Sequence, residues 1–263
     1  MLRLALTRRW LAALAVCLVV AAGCVRAAVW QWSRYEQRTA INAHVSAAAR
    51  ADPVPVAALT GVGGGVPDTA AWRAVQARGR YDVAHQMLVR NRPLDGANGF
   101  YVLVPLVTDA GPAFLVNRGW VPSGATALTT PRVPAPPGGE VTVTARLRPS
   151  EPGPAASADL PAGQIRRIAL DELAHRLPYP VYGGYGERVA ERPAPGESPT
   201  PLPLPKENAA LNLGYTVQWS LFAVIALVGW VVLVRREAAQ PAPTGAARPT
   251  PTGAPLGARS RAG

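Results

Sequence analysis

Residues Leu213 to Val234 read LGYTVQWSLFAVIALVGWVVLV, 22 residues without a charge, and this run decides the fold class. A helix rises about 1.5 Å per residue, so the run covers roughly 33 Å, the thickness of a bilayer core. It predicts a membrane-crossing helix near the end of the chain. Only Gly214, Tyr215, Thr216, Gln218, Trp219, Ser220, Gly229 and Trp230 interrupt the aliphatics.

A second apolar run lies near the start. Trp10 to Val25 is followed by Arg26, and Ala27 to Trp30 continue the run if Arg26 snorkels to the headgroups from the last turn. Trp10 at one end and Trp30 and Trp32 at the other suit the two membrane interfaces. A cleaved signal peptide is the alternative. Arg3, Arg8 and Arg9 would form its basic start, and Ala21-Ala22-Gly23-Cys24 resembles a lipoprotein processing site with Cys24 lipidated. A cleaved lipoprotein continues into a polar tether, whereas here Trp30, Trp32, Arg26 and Arg34 recur at helical spacing, so the run reads as an uncleaved anchor. Cys17 and Cys24, seven residues apart on one helix face, read as packing residues. They offer no disulfide framework and stand too far apart for a paired-thiol copper site.

Charge sets the orientation. Arg3, Arg8 and Arg9 precede the first helix without an acid, and Arg235-Arg236 follow the second, which places both ends in the cytoplasm. Residues 26–212 hold 19 Arg and Lys against 15 Asp and Glu, net +4 of a whole-chain +11. Nucleic-acid binding is excluded, because the middle of the chain lacks a basic run with interleaved aromatics. Lys206 is the one lysine, an Arg-for-Lys bias of GC-rich codons that points to a bacterial plasma membrane. The expected organisation is a cytoplasmic start (1–9), a first helix (10–30), an extracytoplasmic β-rich domain (31–207), a second helix (208–234) and a basic, disordered cytoplasmic tail (235–263).

Between the helices, short apolar or alternating runs predict strands at Trp72 to Tyr81, His85 to Arg90, Phe100 to Val107, Ala113 to Trp120, Val141 to Arg148 and Ile165 to Leu170. Asn98-Gly99, Asp109-Ala110-Gly111 and Gly138-Gly139 supply turns. The clearest hairpin joins residues 100–107 to 113–120, and Pro105 marks its first arm as an edge strand or a bulged one. A helix over Leu170 to Leu177 would be capped by Asp171 and ended by Pro178. With 28 Pro and 25 Gly in 263 residues, Pro53 to Pro67, Pro131 to Gly139, Pro149 to Gly163 and Arg192 to Pro205 are expected to be irregular. The fold class is thus a membrane protein in which two transmembrane α-helices flank a mostly antiparallel β barrel or sandwich of α+β character.

The chemistry is sparse. His44, His85 and His175 lack a Cys or carboxylate partner at metal-ligand spacing, and neither a nucleophile elbow nor a phosphate-cradling loop after a strand is present. No catalytic residue and no metal site is assigned, and an enzyme is the poorer expectation. At 100 degrees per residue Asn208, Asn212, Tyr215 and Trp219 fall within about 60 degrees, one face at the outer end of the second helix, with Gln218 beside it. Trp30, Gln31, Arg34 and Arg38 lie on the first helix at the same level. One reading is an aromatic belt with Asn208 as N-cap; the other is a docking face for a membrane partner or a flat cofactor.

Five blocks in order complete the pattern. They are Trp30-Gln31 with Arg34; Gly79-Arg80-Tyr81-Asp82; Asn91-Arg92 with Gly99-Phe100-Tyr101-Val102 and Pro105-Leu106; Leu115-Val116-Asn117-Arg118-Gly119-Trp120-Val121-Pro122; and Tyr215 with Gln218-Trp219. In order and spacing they resemble the Surfeit locus protein 1 family. That resemblance implies a factor for assembling the haem-copper cytochrome c oxidase, with haem a handled transiently on its way to the catalytic subunit. The implied partners are oxidase subunits or the haem a synthesis machinery, together with the lipid bilayer. The alternative is a membrane-tethered extracytoplasmic binding module or scaffold that does not ligate haem.

The candidate cofactor- or partner-binding residues are Trp30, Gln31, Arg34, Arg92, Asn117, Arg118, Trp120, Asn212, Tyr215, Gln218 and Trp219. Arg92 and Arg118 could grip a carboxylate or propionate through bidentate forks, or pair internally with Asp82 or Asp95. Gly99 and Gly119 are expected to serve backbone turns. One departure from the family pattern matters: residues 208–215 read Asn-Ala-Ala-Leu-Asn-Leu-Gly-Tyr, without the His that members commonly carry a few residues before this Tyr. Asn cannot act as an axial haem ligand. His44, beyond the first helix, is then the one imidazole near the membrane, and otherwise the axial ligand stays unassigned.

Overall fold

The computed structural model describes residues 2–124, 130–155 and 160–240. Of the tail expected to be disordered, residues 241–263 lie outside this description, as do residues 156–159 of the irregular stretch from Pro149. In chain order the elements are α1 (Leu2–Ala5), α2 (Arg8–Arg50), β1 (Val54–Pro55), β2 (Ala74–Tyr81), β3 (Met87–Leu94), β4 (Ala97–Thr108), β5 (Ala113–Pro122), β6 (Val141–Pro149), β7 (Gln164–Ile165), α3 (Leu170–Ala174), β8 (Val181–Arg192) and α4 (Ala210–Ala239). The chain forms two compact units, one of residues up to Arg34 together with those from Ala210, the other of Tyr35–Ala209.

The first unit pairs the apolar halves of α2 and α4, each long and apolar enough to cross a membrane. The Trp230 indole Nε1 donates to the Trp10 carbonyl at 3.1 Å, Ala21 and Cys24 pack against Ala223 and Trp219, and Asn212 meets Gln31. Rising numbers on one helix meet falling numbers on the other, so the pair is antiparallel. Small residues at the seam let the backbones approach, which is how helices associate where lipid tails compete for apolar contact. Cys24 is buried and Cys17 partly so, both free thiols.

Helix α2 runs well beyond the expected first span, continuing to Arg50. The stretch after Arg34 is rich in Ala and free of Gly and Pro, and the helix stops just before Asp52-Pro53, where the residue preceding proline is driven out of the helical region. In the second unit this extension is fixed by Asn42, whose Nδ2 donates to the Glu207 carbonyl at 2.9 Å and whose Oδ1 accepts from the Glu207 N–H at 2.8 Å.

The sheet of the second unit closes on itself. Its order is β1-β2-β6-β8-β5-β4-β3-β7 with a further β2–β4 pairing, so β2, β6, β8, β5 and β4 form a ring. Four of its five contacts are antiparallel; β5–β8 is parallel. The barrel expectation is met, with one parallel seam. Closure depends on Gly79, which pairs with Val141 on one side and Thr108 on the other. A Cβ there would lie 2.1 Å from the Val107 carbonyl oxygen, far inside contact distance.

Strand β6 alternates strictly, with Val141, Val143, Ala145 and Leu147 buried and Thr142, Thr144, Arg146 and Arg148 half-buried, the signature of a strand with one face inward. Strand β5 is buried at every position from Ala113 to Val121. The barrel core joins Val75, Ala77, Leu106, Phe114, Val116, Val143 and Leu147. On the other face of the sheet, Val89, Leu103 and Leu115 pack with Ile165, Ile168, Leu170 and Leu173 around α3.

Several sequence expectations are corrected. The longest omission is β8, whose three glycines and four charges within Val181–Arg192 hide a buried strand. The turn that joins β3 to β4 is Asp95-Gly96, with φ of 49 and 80 degrees, the two left-handed residues that a two-residue turn demands; Asn98-Gly99 and Gly119 lie inside β4 and β5 instead. Pro105 is not on an edge, because β4 pairs with β5 on one side and with β3 and β2 on the other. It falls where β4 passes from β3 to β2, and its carbonyl accepts the Asp82 N–H at 2.9 Å, so the missing proline N–H breaks no ladder. Of the run from Ile165 to Leu170 only Ile165 is strand, as the last residue of β7. The helix that follows spans Leu170–Ala174 without a side-chain cap at Ala169; Asp171 lies in its first turn, and the Leu170 N–H donates to Ser150 Oγ at 2.9 Å.

Candidate functional site

In the helix pair, two polar side chains find each other. Asn212 Nδ2 donates to Gln31 Oε1 at 2.7 Å, and Asn212 Oδ1 is buried without a hydrogen bond among the described residues. An amide pair is a low-cost way to carry polarity across a helix seam, since each group would otherwise face hydrocarbon. Around it the aromatics divide. Trp219 packs onto the Ala21, Cys24 and Ala223 seam and meets Phe222 edge-on at 5.9 Å. Trp30 and Tyr215 are exposed, at 56% and 48%, and Arg34 lies over the Trp30 ring at 5.9 Å. Gln218 is exposed. Asn208, in the second unit, accepts from Arg38 Nη1 through its carbonyl at 3.1 Å.

The barrel residues do not gather into one grip. The Arg118 side chain is fully buried, on the strand face that carries Phe114 and Val116 into the barrel core. Its Nε donates to Glu191 Oε1 at 3.2 Å, its Nη1 to the Pro134 carbonyl at 2.8 Å, and its plane lies 5.5 Å from the Tyr81 ring. The Tyr81 hydroxyl donates to the same Glu191 oxygen at 2.5 Å. Burial, and then the Glu191 charge, raise the Tyr81 hydroxyl well above its ordinary pKa. Arg188 completes the group, with Nε donating to the Arg118 carbonyl at 2.6 Å. Arg118 is thus committed to internal partners.

Arg92 pairs elsewhere. Its Nη2 donates to Glu151 Oε2 at 2.5 Å, and its guanidinium stacks 5.0 Å from Tyr101. The expected internal partners Asp82 and Asp95 are replaced by Glu151 and Glu191, which lie dozens of residues away in sequence. Trp120 is 9% exposed and donates Nε1 to the Arg92 carbonyl at 2.7 Å. Asn117 Oδ1 accepts the Gly119 N–H at 3.1 Å. The structure therefore brings together Gln31 with Asn212, Trp30 with Arg34, and Trp120 with Arg92, and keeps Arg92 and Arg118 on separate carboxylates.

Two clusters escaped the sequence reading. His85 does have a carboxylate partner, with Nδ1 2.7 Å from Asp82 Oδ2, and the Tyr179 hydroxyl donates to that oxygen at 2.9 Å. The Asp-x-x-His spacing was visible in the chain; Tyr179 was not linked to it by any local signal. The second is Arg148, which stacks 3.6 Å over the Trp72 ring and donates to Glu187 Oε1 at 2.7 Å. Burial raises the Glu187 carboxyl pKa, with Arg148 pulling the other way. Among the described residues, no group of three or more His, Cys, Asp or Glu side chains could hold a metal ion.

Residues 18–224 match the family model described as the SURF1 family. The uncharacterized SURF1-like proteins of Mycobacterium tuberculosis strain H37Rv and of Mycobacterium bovis are each 30% identical over 205 residues, covering 77% of this chain and 74% of theirs. The match takes in the end of α2 that holds Gln31, the whole barrel, and α4 through Trp219, and on that breadth the chain belongs to the SURF1 family.

Proposed function

We propose that this chain is an assembly factor for a haem-copper cytochrome c oxidase, and that it assists delivery of haem a to the catalytic subunit rather than catalysing a reaction itself. The observation that carries the reading is the family match, which runs from within α2 through the whole barrel into the first half of α4. Basic flanks at Arg3, Arg8, Arg9 and Arg235-Arg236 support cytoplasmic ends in a plasma membrane with the barrel outside. Partners are then oxidase subunits or the enzymes that make haem a.

Haem a is cargo in this reading. The paired apolar halves of α2 and α4 contain no His, since His44 lies farther along α2 in the second unit, and the Asn212 amide is engaged by Gln31, so the seam itself offers no imidazole for the iron. That observation favours a second form of the reading, a scaffold that docks partners through Trp30, Tyr215 and Gln218 and leaves ligation to them. The deciding experiment is a reduced-minus-oxidised spectrum of membranes from a strain lacking the gene. Loss of the haem a band, restored by the gene, supports the assembly role, and an unaltered spectrum with no second gene copy refutes it. Full restoration by a Trp30→Ala/Tyr215→Ala variant would remove the docking form.

A further inference from the structure

Helix α2 carries one charge inside its apolar half. Arg26 lies sixteen residues beyond Trp10 and four before Trp30. At about 1.5 Å per residue it sits roughly 6 Å inside the nearer aromatic level and roughly 24 Å from the other. The helix continues to Arg50, so Arg26 is in mid-helix. An ionised side chain at such depth is held where a counter-charge reaches it. Neither apolar run supplies one, since residues 10–34 and 213–234 contain no Asp or Glu. No hydrogen bond or ion pair reaches the Arg26 guanidinium among the described residues.

The arginine is on the side of α2 that α4 leaves open. At about 100 degrees per residue, Cys24 and Ala28 fall about 160 degrees from it and Ala21 about 140 degrees. Those three are buried, Ala21 and Cys24 against Ala223 of α4. Arg26 is exposed and lines a shallow groove with Ala22, Gly23, Ala27, Trp30 and Ser33. The Ser33 hydroxyl donates to the Trp30 carbonyl at 2.8 Å, so the guanidinium is the polar group that still lacks a partner there. A Cβ on Gly23 would meet no atom within 4 Å, so no described residue uses the gap this glycine leaves. Snorkelling to the nearer headgroups runs against the side chain's own direction, because Cα–Cβ bonds tilt toward the helix N-terminus, here toward the far side of the bilayer.

We propose that this face of α2 docks a transmembrane helix of another protein, one that carries an acidic side chain at the depth of Arg26. The small residues Ala22, Gly23 and Ala27 let a second backbone approach, which is how helices associate in lipid. A guanidinium fork then grips the carboxylate through two parallel hydrogen bonds and fixes the register of the pair. A second copy of this chain is ruled out as the partner, because its apolar runs hold no acid. The inference rests on α2 crossing a membrane and is independent of whether the partner belongs to an oxidase.

The test places the full chain in phosphatidylcholine bilayers with a synthetic Leu-Ala transmembrane peptide that carries a single Glu one helical turn inside its interfacial Trp. Resonance energy transfer between labels on the chain and on the peptide measures association. An association about tenfold stronger than with the same peptide carrying Gln is expected, and it should weaken when the Glu is moved to the peptide's centre. An Arg26→Leu variant, its unfolding checked against wild type, should lose the preference for Glu. Equal association of the Glu and Gln peptides, equal association at both depths, or an unaltered preference in the folded variant would overturn the proposal. So would loss of the preference when phosphatidylglycerol replaces phosphatidylcholine, because the arginine would then belong to lipid headgroups.

Discussion

The Trp120 indole of β5 reaches across Gly99 of β4 to donate its Nε1 proton to the Arg92 carbonyl of β3 at 2.7 Å. Gly99 pairs with Arg92 on one side and with Pro122 on the other, and a Cβ on it would lie 2.4 Å from Trp120 Cε2. One indole thus staples three strands, and the central strand must carry glycine at the crossing. Trp120→Ala is expected to cost about 3–5 kcal/mol, and Trp120→Phe about 1 kcal/mol through the lost hydrogen bond to a part-buried carbonyl. Gly99→Ala should destabilise as well. Denaturant midpoints of the three variants check this, and an unchanged midpoint for Trp120→Ala would make the indole a surface contact.

Barrel closure at Gly79 is open to the same kind of check. A methyl group there meets the Val107 carbonyl and the Thr108 Cα, so Gly79→Ala must push β4 from β2. An overpacking cost of about 1–3 kcal/mol is expected, and amide exchange at residues 106–108 should quicken while β5–β8 protection persists.

Removing Arg118 alone strands Glu191 in the interior. Arg118→Met is expected to destabilise by about 3–5 kcal/mol, and the double variant Arg118→Met/Glu191→Gln, which buries no unpaired carboxylate, by less. A double-mutant cycle measures the difference; strict additivity would mean that Arg188, 3.7 Å from Glu191, already compensates that charge.

The Asp82 carboxyl titrates below its ordinary value. Partial burial works against this, but the hydrogen bonds from His85 and Tyr179, the His85 charge and the Ala84 N–H outweigh it. A folded-state pKa below the unfolded one means stabilisation present in full above about pH 4. It is lost as the pH falls through the lower folded value. Tyr179→Phe should lower the unfolding midpoint at pH 6, and the gap to wild type should shrink toward pH 3. A gap that holds its size in acid would show that the lost stability comes from packing of the ring.

In the helix pair, Asn212→Leu should weaken association of α2 and α4 only modestly, by about 0.6–2 kcal/mol, the range of hydrogen bonds between membrane helices. A paired Gln31→Leu/Asn212→Leu variant should recover most of it. Steric-trap unfolding in bicelles reads the difference, and a larger loss from Gln31→Leu alone would point to a second partner for Gln31.

Much of this protein was written locally. The uncharged run from Leu213 to Val234, the alternation from Val141 to Leu147 and the two apolar arms around Asp109-Ala110-Gly111 each announce their element within a dozen residues, because hydrophobic period and turn chemistry are local properties. The five motif blocks likewise pointed to the family from residue order alone. Strand β8 stayed hidden for the opposite reason. Its Glu187 and Glu191 look solvent-facing until Arg148 and Arg118 arrive from β6 and β5 to neutralise them, and its glycines look like turns until Phe114 fills the space against Gly186. The same holds for the candidate site. Sequence singled out Arg92, Arg118, Asn212 and Gln31, yet only the tertiary structure decided that Arg118 is sealed into the core, that Arg92 pairs with Glu151, and that Asn212 is engaged by Gln31. Such choices depend on which distant segments close the barrel. A charge is affordable inside a fold only where its partner is delivered by another strand, and no local window contains both.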